Sequence, residues 1–233
     1  MNKLKNILIG LVATISLTSV AYAGSFGLGV TGSYTKIDAS GSETSKAAGT
    51  ETESNQSISV DNDAFLGKLY VEYSFDDASW GSVGNGITFG ASYTPGTADV
   101  SDKVKTRTDV AAADAGTTDN RTSTAQAEIE NYMNYYIELP LYKSIYVKAG
   151  MAQVDVNTLE TSTLAAAGKY GNKTLDGTNL GIGFKGVTGS NIVWKLAYEA
   201  TDFDTLNLTS TTGDKIKADL DTSEVNLSIG YRF

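Results

Sequence analysis

Acidic and basic side chains two residues apart are the groups of this chain with the spacing to act together. Glu128 and Glu130 share a register with Glu138, and side chains at period two fall on one face of a strand. A stripe of carboxylates along one wall would attract cations, as charged rings do in selective pores. Asp61 with Asp63, and Asp219 with Asp221, offer the hard oxygen ligands that Ca²⁺ or Mg²⁺ takes. The remainder of a calcium-loop pattern is missing, so neither pair is read as a metal site. Covalent chemistry is worse served, because the 233 residues include no histidine and no cysteine. Histidine is the usual base near neutral pH. Serine is abundant, but no Gly-x-Ser-x-Gly elbow holds one ready as a nucleophile. We therefore expect no enzyme and no cofactor.

The elements that position these charges are strands. From Gly24 onward apolar and polar residues alternate at period two, and no long segment has helical spacing. Eight runs stand out. Phe26, Leu28, Val30 and Tyr34 begin the series; Phe65 to Phe75, Ile87 to Tyr93 and Ala127 to Leu139 follow. Ile145 to Met151, Leu180 to Phe184, Ile192 to Tyr198 and Val225 to Phe233 complete it. Each approaches the roughly nine to eleven residues that a tilted strand needs to cross a bilayer. Long polar stretches at about 36–63, 95–124, 157–178 and 202–222 alternate with short connections at about 76–86, 140–144 and 186–191. Pro95 and Pro140 fall where strands are expected to stop, since proline has no N–H for a ladder. Long loops on one side and short turns on the other are the asymmetry of an outer-membrane barrel, with its turns and termini in the periplasm. The expected fold is all-β: a transmembrane antiparallel up-and-down barrel of eight strands, with ten as the alternative count.

If the apolar faces meet lipid, the opposite faces line the lumen, which eight strands make just wide enough for side chains to fill. The lining is expected to hold the acids Glu72, Glu128, Glu130, Glu138, Glu199 and Glu224 and the bases Lys68, Lys148, Lys185, Lys195 and Arg232. Opposite charges in near balance suit a polar core closed by ion pairs and tyrosines, because an unpaired buried charge is costly. The alternative is a narrow passive channel whose wall carries the Glu128, Glu130 and Glu138 stripe.

The ends give an address. Lys3 and Lys5 precede an apolar stretch from Ile7 to Val20, and Ala21-Tyr22-Ala23 supplies small residues at both positions a signal peptidase reads. Residues 1–23 are expected to be a cleaved secretory signal, leaving 24–233 as one barrel domain. Overall 18 basic residues stand against 27 acidic ones, a net charge of −9. A nucleic-acid partner is not expected, since phosphate binding requires a basic face.

The last run, Glu224 to Phe233, alternates throughout and ends on Tyr231 and Phe233 two residues apart. It resembles the C-terminal signal of bacterial outer-membrane proteins, which implies that Tyr231 and Phe233 are read by the barrel assembly machinery. In architecture the chain resembles the small barrels of the OmpA-membrane-domain, OmpX, OmpW and opacity-protein group. That resemblance implies a monomer in the cell outer membrane, with lipid and lipopolysaccharide around it and acidic loops at the surface. It implies location and fold more than activity. The role expected is structural or surface interaction.

Overall fold

A computed structural model describes residues 24–44, 55–75, 86–101, 105–110, 120–162, 169–211 and 213–233. They form β1 (Gly24–Thr44), β2 (Asn55–Phe75), β3 (Thr88–Asp99), β4 (Lys105–Val110), β5 (Asn120–Tyr142), β6 (Ile145–Ser162), β7 (Lys173–Val187), β8 (Ile192–Phe203), β9 (Leu206–Thr209) and β10 (Lys215–Arg232). Neighbours pair antiparallel in the order β1-β2-β3-β5-β6-β7-β8-β10, and β10 closes the ring on β1 from Gly27↔Arg232 to Thr44↔Lys215. The short β4 and β9 extend β3 and β8 along the same partners, β5 and β10. The barrel is therefore an eight-strand ring. The expected signal peptide with its Ala21 and Ala23, the connection at 76–85 and the polar stretch 111–116 lie outside the described residues.

Strand length is the first departure from expectation. β1 and β2 each run 21 residues, about 70 Å of contour at roughly 3.3 Å per residue. That is twice what a membrane crossing needs. Much of the stretches 36–63, 95–124, 157–178 and 202–222, expected as loops, is strand.

The reason lies in how the two faces are filled. At the end of the barrel with the tight turns, outward positions are apolar: Val30, Leu69, Phe89, Ile182, Leu196 and Ile229 form a belt around the ring, all well exposed. Inward positions there are polar. Further along the same strands the assignment inverts. Ile37, Val154, Leu175, Phe203 and Leu220 point inward and pack into one buried cluster, while Lys36, Asp38, Asp202 and Asp221 point out. Lipid outside requires an apolar surface around a polar lumen. Water outside requires the reverse, with each buried side chain of this size contributing about 1.5–3 kcal/mol. The inversion marks where the strands leave the membrane.

Both prolines lie within strands, at irregularities in pairing, rather than at strand ends. Pairing shifts between Pro140 and Tyr142 and between Thr94 and Thr97, where Gly96 takes a φ of 93°. The second bulge has a lateral effect. Among the described residues β2 pairs with β3 only from Leu69↔Tyr93 to Ser74↔Thr88, because Pro95 has no N–H to offer and the bulge turns the strand aside. Beyond this short ladder, the Asn62 side-chain amide donates to the Asp99 carbonyl at 2.7 Å.

Candidate functional site

The barrel interior at membrane depth is where the charged residues converge. β8 supplies Lys195 and Glu199 at alternate inward positions, and β5 supplies Glu138. β2 supplies Lys68 and Glu72, and β10 supplies Glu224. Lys195 donates to Glu138 at 2.7 Å and is also paired with Glu72, so one ammonium bridges two carboxylates. Lys185 donates to the other Glu138 oxygen at 3.1 Å. Lys148 pairs with Glu199 at 2.8 Å, and Lys68 pairs with Glu224. Four lysines and four glutamates thus neutralise one another. Arg232 lies nearer the turn end, where its guanidinium donates to Ser74 at 3.2 Å.

Tyrosines fill the space between the pairs. Tyr136 donates to Glu72 at 2.7 Å while its ring receives the Lys148 ammonium at 3.9 Å from the centroid. Lys195 lies 5.3 Å from the Tyr70 ring centroid and 5.9 Å from that of Tyr146. Such cation–π contacts strengthen where water is excluded. The glycines of the small-residue faces make room for these rings. A side chain at Gly230 would collide with the Tyr70 hydroxyl and approach the Leu28 carbonyl to 2.6 Å. The interior lined by Lys68, Tyr70, Glu72, Tyr136, Lys195 and Glu199 leaves a cavity of about 20 Å³, room for roughly one water molecule.

Two expected members are elsewhere. Asn131 adopts a positive φ of 53°, and the β5–β6 register slips between Glu130 and Met133. A one-residue slip exchanges the faces of a strand. Glu138, Tyr136 and Asn134 point inward on one side of the bulge. On the other side Ile129 is buried in the apolar cluster, so Glu128 and Glu130 face outward. Glu128 instead accepts from the Asn157 amide at 3.3 Å. The carboxylate stripe expected along this strand is divided, and the channel wall built on it does not form. The inward apolar cluster was missed from the sequence. Its signal was the exchange of faces along one strand, where the apolar residues pass from odd positions at Ile145, Val147, Ala149 and Met151 to even ones at Val154 and Val156 while period two is kept.

Outside the belt, aspartates form a cross-strand row: Asp61↔Asp38, Asp38↔Asp221 and Asp221↔Asp202. Lys36 donates to Asp38 at 2.7 Å. Among the described residues no group of three or more carboxylates is placed to hold a metal ion. The Asp221 pKa is raised, first by partial desolvation, then by the Asp202 charge and a hydrogen bond with Asp202, with Asp219 and Asp38 adding to it. A group whose pKa rises on folding contributes stability below its unfolded value, and that contribution is lost as pH rises through the folded value. Acidification towards about pH 4, the ordinary aspartate range, is therefore expected to stabilise this part of the barrel. Asp221→Asn should flatten that pH dependence and raise stability at pH 7, measured by hydrogen exchange of the β8 and β10 amides beyond the belt.

No protein-family model matches the sequence, and no curated protein matches it. Solved structures do match. Ail, the attachment invasion locus protein of Yersinia pestis in complex with the heparin analogue sucrose octasulfate, is 14% identical, with 90% of this chain and 97% of that chain covered and a TM-score of 0.41. AlkL, an outer membrane protein determined in DMPC bilayers, is 16% identical over 93% of each chain, with a TM-score of 0.39. The outer membrane protease OmpT of Escherichia coli is 8% identical, covering 93% of this chain and 99% of that chain with a TM-score of 0.45. This last match corrects the expectation that the chain is not an enzyme. A protease stands among the structures it is similar to, and 8% identity assigns no reaction here. With its closed ring of eight strands, apolar belt and charged interior, the chain folds as an antiparallel up-and-down β-barrel.

Proposed function

We propose that this protein is a closed structural barrel of the bacterial outer membrane that raises a rigid, acidic surface above the lipid for interaction at the cell exterior. The observation that carries this reading is the interior: four lysines paired with four glutamates, six of the eight lining a cavity of only about 20 Å³. A general-diffusion pore takes about sixteen strands, and here the lumen is occupied by its own side chains. The inverted upper half supports display rather than anchoring alone, because it builds a water-facing barrel whose outer face carries Asp38, Asp61, Asp202 and Asp221.

In this reading residues 1–23 direct export, assembly machinery reads Tyr231 and Phe233, and one chain forms the complete barrel. The tight turns at 143–144 and 188–191 face the periplasm, and the strand extensions face outward among lipopolysaccharide. Single cysteines test this orientation, since the chain has none of its own. Ser59→Cys should react with a membrane-impermeant maleimide on intact cells, and Ser190→Cys should react only after the outer membrane is opened. The reverse pattern would refute the orientation.

A further inference from the structure

Lys169, Tyr170, Gly171 and Asn172, which lead into β7, are tied to three separate parts of the outer rim. On one side the Thr158 hydroxyl of β6 donates to the Tyr170 carbonyl at 3.1 Å, and the Thr158 N–H donates to the Asn172 side chain at 3.2 Å. On the other the Thr211 N–H donates to the Lys169 carbonyl at 3.1 Å, and the Lys169 N–H donates to the Thr211 hydroxyl at 3.2 Å. Tyr170 then donates to Glu43 of β1 at 2.9 Å. β8 and β10 stand between β7 and β1 in the ring, roughly 14 Å of wall at 4.8 Å per strand. Glu43 shares the inward parity of Ile37 and Ala39. The contact therefore cuts across the mouth, over Ala39, Leu208 and Ala218, which pack on the buried apolar cluster.

The crossing and its anchor are unequally built. At the anchor the Ser210 N–H donates to the Asp214 carbonyl at 2.8 Å and the Asp214 N–H donates to Ser210 Oγ at 3.0 Å. Gly213 supplies the φ of 100° that this tight turn needs. The crossing rests on isolated bonds instead. Lys169, Gly171 and Asn172 are exposed, and among the described residues nothing lies within 4 Å of where a side chain at Gly171 would begin. Segments with few buried contacts open by themselves, ahead of the ladders around them. We propose that residues 169–172 are a latch, caught by Tyr170 on Glu43, that opens and closes the outer mouth while the ring stays intact. Closed, it keeps water from the upper apolar interior. Open, it joins that interior to the exterior, and the ion pairs at membrane depth still end the passage. Control of access of this kind goes beyond a role in display.

Single cysteines in the full chain, refolded in lipid bilayers, measure the latch through their rate of reaction with a small water-soluble maleimide. Ala39→Cys, beneath the crossing, should react at least tenfold more slowly than Ser59→Cys on the outer face. Adding Tyr170→Phe, which removes only the hydroxyl, should raise the Ala39→Cys rate at least fivefold while the protein still shifts mobility on boiling. Adding Glu43→Gln, which keeps an acceptor for Tyr170, should leave that rate within twofold. Ser228→Cys, at the depth of the ion pairs, should stay unreactive in every background. An Ala39→Cys rate that Tyr170→Phe does not change would overturn the proposal, and so would a reactive Ser228→Cys, by showing that the ring itself opens. Hydrogen exchange of the wild-type chain gives a check without variants. The Lys169 and Thr211 amides should exchange at least tenfold faster than those of the β9–β10 ladder, and equal protection would mean that the crossing never opens alone.

Discussion

Lys195→Met is expected to destabilise the barrel by about 3–5 kcal/mol, the usual consequence of removing one partner from a buried ion pair. Lys195 is the cation shared by Glu72 and Glu138, and all three are nearly enclosed, at 5%, 6% and 2% exposure. Methionine would fill much of the volume but leave Glu72 with the Tyr136 hydroxyl and Glu138 with Lys185. Urea unfolding in bilayers, followed by the mobility difference between boiled and unboiled samples, measures the loss. Adding Glu72→Gln should restore a large part of it, because a neutral amide no longer requires the missing charge while Glu138 keeps its pairing with Lys185. An unchanged midpoint for Lys195→Met alone would mean that water already solvates these carboxylates.

Val154→Asp is expected to cost on the order of 4 kcal/mol, since it places a carboxylate among apolar side chains. Val154 is fully buried in the cluster with Ile37, Leu175, Phe203 and Leu220. Val154→Ala separates the two contributions: it makes only a small cavity and should cost about 1–2 kcal/mol. Hydrogen exchange should show the Asp variant opening the upper parts of β6 and β7 while the ladders at belt depth stay protected. Equal protection in both variants would mean that the upper interior is wet, against the inversion of faces described above.

The sequence carried the ring more clearly than it carried the interior. Leu28, Leu196 and Ile229 announce a lipid face because period two and apolar composition coincide there, and the eight-strand count follows from such runs. Beyond the belt the period persists, but the composition averages to polar, and Lys36-Ile37-Asp38-Ala39 therefore reads as loop although it is strand. The interior pairs followed from parity wherever a strand kept its register, as at Lys68, Glu72, Lys195 and Glu199. Parity failed at Glu128 and Glu130 because Asn131 inserts a bulge, and asparagine tolerance of positive φ does not by itself announce one. The short β2–β3 ladder was half visible: Pro95-Gly96 marks a break, but only the register shows which neighbouring strand loses its pairing.

Planar-bilayer recording of the refolded wild-type chain tests the central claim that this barrel is closed by its own side chains. Paired lysines and glutamates around a water-sized cavity predict no reproducible single-channel steps under an applied potential. Steps of constant size whose conductance scales with salt concentration would contradict it.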